Sequence, residues 1–435
     1  MPRPVDMLIA GAGPAGAALA LLLTRAGYRV TVVSRCREYR GIEGISRRSL
    51  QALRSLGLAR AAACGLGPVA RRVTWGGESR APNQEWLLPR PGFDQALLDD
   101  LEATGIEVVR TRAGRWEEEN GNSVTLTLPE WPSAPLRARW GIEARGRAAG
   151  QRRYRDSPAW ARPALILRGH ASGPPASQAC TLDGGGWAWW ARAAGAEYLQ
   201  LALPRAEFDV ARRYPSDWLA RQSTLADIWQ SARIEQAYLR PTQIGRTGVR
   251  EGRVWRLGDA AMAVDPLSGQ GIFNALSSAH GLVPFITGVL EGEPIAPLER
   301  FHQRRQDTMY WRFARAGRDF YRLAAAHDGA PYWLSRCHWP DHAPLHVGEP
   351  WASVQVRQGH AIVAGRLEPR SLVITPAQPL GIYAVAGQPL APLVAAMQAC
   401  DLIRSRDLLR QAGTAAEAIR HWWQAQQDWP VLPPA

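Results

Sequence analysis

Lysine is absent from the sequence: the 52 basic residues of the 435-residue chain are all arginine. This excludes mechanisms that need a lysine Schiff base, an ammonium acid or a P-loop lysine. Cysteine is scarce, with five residues and no CxxC pair, and the nine histidines show no ligand spacing. We therefore expect neither a disulfide framework nor a metal site, and we expect a reducing compartment such as the cytoplasm.

One apolar segment, Met7–Thr24, carries no charge and follows Arg3, which is the pattern of a signal peptide or a membrane span. Three glycines and Pro14 interrupt it, whereas a hydrophobic anchor is leucine-rich throughout. We therefore expect no membrane association.

The composition is that of a globular chain, with 46% hydrophobic and 21% charged residues. Its length predicts two or three cooperating units, because single cores stop growing at roughly 250–300 residues. The formal net charge of +13 would attract an acidic protein partner. Exclusive use of arginine is also what a biased genomic base composition produces.

A dinucleotide-binding unit is predicted at the N-terminus. The apolar run Val5–Ala10 precedes GAGPAG, an Ala/Leu-rich helical stretch follows, and Tyr28–Val33 returns as a second strand. Gly11 allows the tight turn, Gly13 lets a pyrophosphate approach the backbone, and Gly16 lets helix and strand pack closely. The start of the helix then offers unpaired N–H groups to the phosphates.

The residues after the second predicted strand depart from this pattern. An acidic residue that binds a ribose is expected there, but the sequence has Ser34 and Arg35. The Ser34 hydroxyl is still able to hydrogen-bond a ribose hydroxyl.

A second motif lies far along the chain, at residues 258–271, after a strand predicted over Val254–Leu257. Asp259, behind a glycine at the strand end, is placed to bind a ribityl hydroxyl. The turn Gly269–Gly271 exposes backbone N–H groups at a helix start, where they stabilise negative charge.

The motifs GAGPAG, ARGRAAG (144–150) and GDAAMAVDPLSGQG (258–271) resemble those of the FAD-dependent aromatic hydroxylase superfamily typified by p-hydroxybenzoate hydroxylase. Tryptophan halogenases share its fold. The resemblance implies FAD with its pyrophosphate at Gly11–Gly16, its ribityl chain at Asp259 and its isoalloxazine over Pro266–Gly271. Residues 37–58 and 87–98 resemble segments that carry flavin-contacting arginines. The predicted cofactor-binding residues are Gly11, Gly13, Ala15, Gly16, Ser34, Arg35, Arg40, Arg48, Arg90, Asp259, Pro266, Gly269, Gln270 and Gly271.

Within this superfamily, three further segments resemble those of a narrower group of flavin monooxygenases. These enzymes dihydroxylate a precursor tryptophan during cysteine tryptophylquinone biogenesis in quinohemoprotein amine dehydrogenase. The three segments are GIEGIS, GGWAWW and the one from RFARAGRDFYRL to PYWLSRCHWPD. The resemblance implies a precursor polypeptide as substrate, an acidic small subunit of an amine dehydrogenase. It also implies molecular oxygen as co-substrate and transfer through a flavin C4a-hydroperoxide. A halogenase would need a lysine to aim hypohalous acid, so the absence of lysine argues strongly against that activity.

The source of electrons stays open. An Asp-Gly pair typical of NAD(P)H-using hydroxylases is missing near ARGRAAG, and the sequence has no second dinucleotide motif. Either NAD(P)H or a partner flavin reductase would reduce the cofactor.

The predicted fold class is α/β. A Rossmann-type FAD-binding domain is interleaved with a mostly antiparallel β substrate domain and is followed by a small, winged-helix-like C-terminal α+β domain. The predicted boundaries are 1–67, 89–150 and 246–330 for the FAD-binding domain, 68–88 and 151–245 for the substrate domain, 331–351 for a linker and 352–435 for the C-terminal domain.

The substrate pocket is predicted on the second sheet. Trp187 and Trp189 alternate onto one face and Trp190 onto the other. The first two would stack an aromatic substrate, although ordinary core packing gives the same pattern. Glu43 is the candidate catalytic base, although an acid in a glycine-flanked loop is often simply solvated.

The C-terminal segment is predicted to hold four short strands, in SVQVRQ, AIVAG, SLVIT and IYAVA, and then three helices. Its arginines Arg404, Arg406 and Arg410 would contact DNA phosphates or dock a polypeptide, or the domain would only stabilise the fold; nucleic acid is the less expected partner. The rival functions are a small-molecule phenol or indole hydroxylase, a flavin-linked reductase of the same fold, and a non-catalytic FAD redox sensor.

Overall fold

The computed structural model describes residues 5–35, 41–119, 121–150, 154–426 and 428–434. The chain divides into two compact units: unit 1 is Met1–Val283 with Met309–Ala343, and unit 2 is Pro284–Thr308 with Pro344–Ala435. The finer division predicted from the sequence, with a separate substrate domain and a linker, stays a prediction.

The structure contains short strands and helices in alternation. The strands are β1 (Val5–Ala10), β2 (Val30–Val33), β3 (Ile42–Ser46), β4 (Leu66–Trp75), β5 (Glu78–Pro89), β6 (Glu107–Val109), β7 (Trp116–Glu119), β8 (Ser123–Leu126), β9 (Leu136–Glu143), β10 (Ala164–His170), β11 (Ala176–Thr181), β12 (Trp187–Ala193), β13 (Ala196–Ala202), β14 (Gln236–Arg240), β15 (Gly245–Arg246), β16 (Arg250–Glu251), β17 (Val254–Arg256), β18 (Met262–Ala263), β19 (Gln355–Val363), β20 (Arg366–Ile374), β21 (Ala384–Val385) and β22 (Gln388–Pro389). The α-helices are α1 (Pro14–Arg25), α2 (Arg47–Leu56), α3 (Ala59–Ala63), α4 (Arg90–Ala103), α5 (Arg147–Gly150), α6 (Arg205–Arg213), α7 (Pro215–Ala220), α8 (Ser223–Ala226), α9 (Gly271–Leu290), α10 (Ile295–Asp328), α11 (Pro331–Leu334), α12 (Ala391–Gln398), α13 (Leu402–Gln411) and α14 (Ala415–Gln424). Three 3₁₀ turns lie at Gly258–Ala260, Pro266–Ser268 and Trp351–Ser353.

The first sheet of unit 1 has the order β16-β17-β9-β1-β2-β6. Strands β17, β9, β1, β2 and β6 pair in parallel, and β8 pairs antiparallel with β9. The apolar run of β1 suits a strand covered on both faces, and its residues Met7 to Ala10 are buried. The order β1, α1, β2 confirms the predicted βαβ unit, and the uncharged segment Met7–Thr24 forms most of β1 and α1.

The second sheet of unit 1 has the order β14-β10-β13-β12-β11-β4-β5-β3. It is antiparallel except for the pair of β11 with β4. One face packs Trp190 with the helical residues Trp218 and Leu225. Trp187 and Trp189 lie on the opposite face, with Tyr321 and Trp333, as the period-two alternation predicted. The α/β class with two sheets is confirmed.

Unit 2 contains the hairpin of β19 with β20 and the helices α12 to α14, so its α+β content is confirmed. Four separate strands were predicted, but the first two are one strand, because Gly359 and His360 between them pair with Arg370 and Pro369 and continue the ladder. The fourth predicted strand forms only the short β21. The core of this unit includes Trp423 and Trp429.

One helix in the described part of the chain, α9, has the length and composition of a membrane span. Within the fold, 67% of its apolar window is buried. A core helix passes the same test of length and composition.

Candidate active site

The turn between β1 and α1 has room only for glycine at two positions. Gly11 has φ of +108°, and a Cβ atom there would lie 2.7 Å from the carbonyl oxygen of Ala144. A Cβ atom on Gly16 would lie 1.9 Å from the carbonyl oxygen of Gly11. The backbone of the turn is therefore packed against the end of β9 with no space for side chains.

The N-terminus of α1 is open for an anion. Gly13 is its N-cap residue, no side chain caps the helix, and its first turn holds no acidic residue. Pro14 has no N–H group, so Ala15 and Gly16 carry the first free N–H groups of the helix. This cradle fits the pyrophosphate of FAD, since helix N-termini attract phosphates.

The second motif lies against the first. A Cβ atom on Gly258, where φ is +58°, would lie 2.8 Å from Cβ of Ala15. Asp259 follows, with 28% of its side chain exposed and its Oδ2 atom 3.6 Å from Nε of Arg147. The fold thus brings Asp259 beside α1, as binding of one extended dinucleotide requires.

The structure also shows how the Asp259 segment is held, which the sequence analysis missed. The hydroxyl of Tyr154 donates a hydrogen bond to the backbone carbonyl of Asp259. Burial raises the pKa of Tyr154, so this hydroxyl stays protonated and remains a donor. Arg147 also donates to the carbonyl of Val264, over 2.8 Å.

Hydrogen bonds and a 3₁₀ turn define the backbone of the loop before α9. Pro266–Ser268 forms a 3₁₀ turn, Asp265 accepts a hydrogen bond from the Leu267 N–H group at 2.9 Å, and Gly269 ends the turn with φ of +60°. Asp265 is buried, which raises its pKa, and its Oδ2 accepts a 2.7 Å bond from the Tyr321 hydroxyl. Gln270 and Gly271 then lead into α9.

Two donor atoms, one beside this loop and one early in α9, lack a hydrogen-bond partner in the described part of the chain. These are the buried Arg71 Nε and Asn274 Nδ2. Arg71 lies at the loop, since its Nη1 atom is 3.8 Å from where a Cβ of Gly269 would lie. Both side chains are donors, which suits the carbonyl oxygens of a flavin ring. Arg48 lies over the ring of Phe273, 4.2 Å from its centre.

The face of β12 that carries Trp187 and Trp189 reaches the same loop, because Leu267 packs into their aromatic cluster. Trp187 is 3% exposed, whereas Trp189 is only partly buried. The indole of Trp190 points to the other face and donates to Glu197 at 2.9 Å. An aromatic wall therefore adjoins the predicted flavin loop.

Glu43 is not a solvated loop residue. It lies in β3, and 17% of its side chain is exposed. Its Oε1 atom is 2.6 Å from Nη2 of Arg240 and 3.4 Å from Nη1 of Arg90. Arg240 also donates to Gln200, at 3.2 Å, and Gln200 is the cross-strand neighbour of Trp189. Glu43 thus belongs to a charged network beside the tryptophan wall.

The other predicted cofactor residues have mixed placements. Arg90 is buried and binds Asp94 at 2.6 Å in addition to Glu43. Ser34 follows β2 directly and is partly exposed, and Arg35 is exposed. Arg40 lies outside the described residues.

Comparisons with known proteins support FAD as the cofactor of this fold. The FAD binding domain family matches residues 4–149. No curated protein matches the chain by sequence. Among solved structures, the chain is similar to the peptidyl tryptophan dihydroxylase QhpG, essential for tryptophylquinone cofactor biogenesis, at 35% identity and a TM-score of 0.84, over 98% of this chain and 100% of that one.

Two further structures share the fold. One is CmlS, a flavin-dependent halogenase, with 18% identity and a TM-score of 0.75 over 98% of this chain and 94% of its own. The other is PqsL, a probable FAD-dependent monooxygenase from Pseudomonas aeruginosa, with 20% identity and a TM-score of 0.59 over 77% of this chain and 99% of its own. From the identity to QhpG over nearly the whole length, together with the matched FAD-binding domain, we conclude that the chain belongs to the FAD-dependent aromatic hydroxylase superfamily and is an FAD-dependent monooxygenase of that fold.

Proposed function

We propose that the chain hydroxylates a tryptophan side chain in a precursor polypeptide during the biogenesis of a cysteine tryptophylquinone cofactor. The observation that carries the proposal is the 35% identity to a peptidyl tryptophan dihydroxylase over 98% of the chain. The aromatic wall beside the flavin loop supports it, because the partly buried Trp189, next to the buried Trp187, has a ring on which an indole would stack.

Different residues of the chain would bind different parts of the cofactor. The N–H groups of Ala15 and Gly16 would hold the pyrophosphate, the carboxylate of Asp259 a ribityl hydroxyl, and the predicted loop Pro266–Gly271 the ring. Arg71 and Asn274 would donate to the ring carbonyls. Once bound and reduced, FAD supplies activated oxygen to an electron-rich aromatic ring.

The remaining residues position the substrate and exclude water. Trp187 and Trp189 would hold the indole against the loop and keep the site dry. Glu43 stays our candidate for accepting a proton from the substrate ring, and Arg90 and Arg240 would fix its carboxylate in place. An indole is sufficiently electron-rich to react without a metal ion.

Molecular oxygen is the proposed co-substrate, and the electrons would come from NAD(P)H or a partner reductase. The net charge of +13 favours an acidic precursor polypeptide as the partner. The absence of lysine argues against halogenation, although the fold is shared with a halogenase.

Mass spectrometry of small polypeptides encoded beside this chain, produced with and without it, tests the proposal. We expect a gain of one or two oxygen atoms on a single tryptophan. The Asp259→Ala variant, expected to be colourless, is the control and should leave the tryptophan unmodified. Unmodified polypeptides, together with oxygenation of a free phenol or indole, would instead identify a small-molecule hydroxylase.

A further inference from the structure

A carboxylate is buried on the tryptophan face. Glu85 lies in β5 and is 7% exposed. Its Oε1 atom is buried and has no hydrogen-bond partner in the described part of the chain. Such a group is costly to keep in a folded protein, because it has lost its water without gaining a donor.

The position of this carboxylate is defined by Gly44 and Trp189. A Cβ atom on Gly44 would lie 2.2 Å from Oε2 of Glu85 and 3.3 Å from Cζ2 of Trp189. The second glycine of GIEGIS therefore leaves the space that the carboxylate occupies. Gly44 and Trp189 are themselves only partly buried, so the buried carboxylate lies beside residues that solvent reaches.

Two arginines near Gly44 are already bound to another carboxylate. The guanidinium groups of Arg90 and Arg240 bind Glu43, the residue before Gly44. Arg71 extends to the Gly269 turn. A donor carried by a bound molecule would complete the hydrogen bonding of Glu85.

We propose that Glu85 is a substrate-binding residue whose carboxylate accepts a hydrogen bond from the indole N–H group of the tryptophan to be modified. This inference rests on the proposed function. The ligand must bring a donor on an apolar ring into a site walled by Trp189. The indole N–H group is a donor only and is the single polar group of a tryptophan side chain. A charged hydrogen-bond acceptor for it would select an indole over a ring of the same size without an N–H group.

Equilibrium binding to the full-length, FAD-loaded protein tests this inference. The probes are N-acetyl-tryptophan amide and its 1-methylindole analogue, which lacks the N–H group, followed by the change in flavin absorbance. We expect the wild type to bind the first probe about tenfold more tightly, the size expected of a hydrogen bond to a charged acceptor. In Glu85→Gln and Glu85→Leu the preference should fall below about threefold.

The control is Glu78→Gln, which changes an exposed acid at the other end of the same strand and should keep the full preference. Glu85→Leu also guards against misfolding, because it removes an unpaired buried charge and should not lower the melting temperature. Equal binding of the two probes, no binding of either, or a preference that survives both Glu85 substitutions would overturn the inference.

The outcome is separable from that of the proposed function. If the precursor tryptophan gains oxygen but the N–H preference is absent, only the role of Glu85 is wrong. If the preference is present and depends on Glu85 but no polypeptide is modified, Glu85 binds an indole in an enzyme with a different substrate.

Discussion

At the scale of single residues, the cofactor cradle depends on glycines, which have no Cβ atom. The hydrogen of Gly11 faces the Ala144 carbonyl, where a methyl group would lie at 2.7 Å from the oxygen. The same residue has φ of +108°, a conformation that side chains disfavour. Any side chain at this position would therefore meet both a steric clash and backbone strain. Both effects would deform the phosphate-binding turn.

Gly11→Ala should therefore abolish stoichiometric FAD binding and destabilise the fold by about 2 kcal/mol or more. The matched control is Gly27→Ala, where φ is +88° but nothing lies within 4 Å of the added Cβ. That variant carries backbone strain without the steric clash and should stay yellow. The ratio of flavin absorbance to protein absorbance in the purified proteins measures the difference. A fully loaded Gly11→Ala protein would contradict our placement of the pyrophosphate.

The sequence predicts residues of the site when one local segment defines their surroundings. Gly11, Gly16 and Asp259 belong to motifs whose spacing carries the signal. The bond between Glu43 and Arg240 joins residues 197 positions apart, so no local pattern could reveal it. Glu85 is missed for the same reason, because its burial depends on Gly44 and Trp189 from other strands. The two unpartnered donors, Arg71 and Asn274, were likewise not predictable, because only the fold brings them near the loop.

At the scale of elements, helix α10 carries a buried titratable group. His302 is 8% exposed and its ring centre lies 4.8 Å from that of Phe285 in α9. Burial, with a smaller effect of the Arg305 charge, lowers the pKa of His302 to about 3. The unfolded chain takes up this proton near the ordinary pKa, so unfolding is favoured by acid from about pH 6.5 downwards.

The free energy of unfolding should therefore fall by up to about 1.4 kcal/mol per pH unit through His302 as the pH drops from about 6.5 towards 3. The His302→Gln variant should lose this part of the acid sensitivity, whatever its stability at neutral pH. Urea unfolding followed by tryptophan fluorescence at about pH 7 and about pH 5 measures the slope. His421→Gln, which changes an exposed histidine of α14, should leave the slope unchanged. An identical slope in wild type and His302→Gln would contradict the burial effect.

Elements were predictable where hydrophobic periodicity was continuous. The largely apolar β1 and β2 and the alternating β12 follow directly from period and burial. The hairpin of unit 2 was divided wrongly, because Gly359 and His360 weaken the strand pattern. Pairing with β20 overrides that local weakness.

At the scale of the whole molecule, unit 1 combines the two sheets on which the proposed reaction depends. The parallel sheet presents the glycine turn and Asp259, and the antiparallel sheet presents the tryptophan wall. The segment 258–271 touches both, since Gly258 packs on Ala15 and Leu267 packs with Trp187. A flavin and an aromatic ring bound in this way would face each other, with an arginine-rich chain to attract an acidic polypeptide.

In the proposed reaction, oxygen from dioxygen is transferred to a tryptophan ring held beside the flavin. Turnover of the precursor polypeptide under heavy-isotope oxygen gas in ordinary water, followed by peptide mass spectrometry, tests it most directly. We expect the modified tryptophan to carry the heavy isotope in each added oxygen that the enzyme inserts. A modified tryptophan that takes its oxygen only from water, or modification that continues without oxygen gas, would contradict the account.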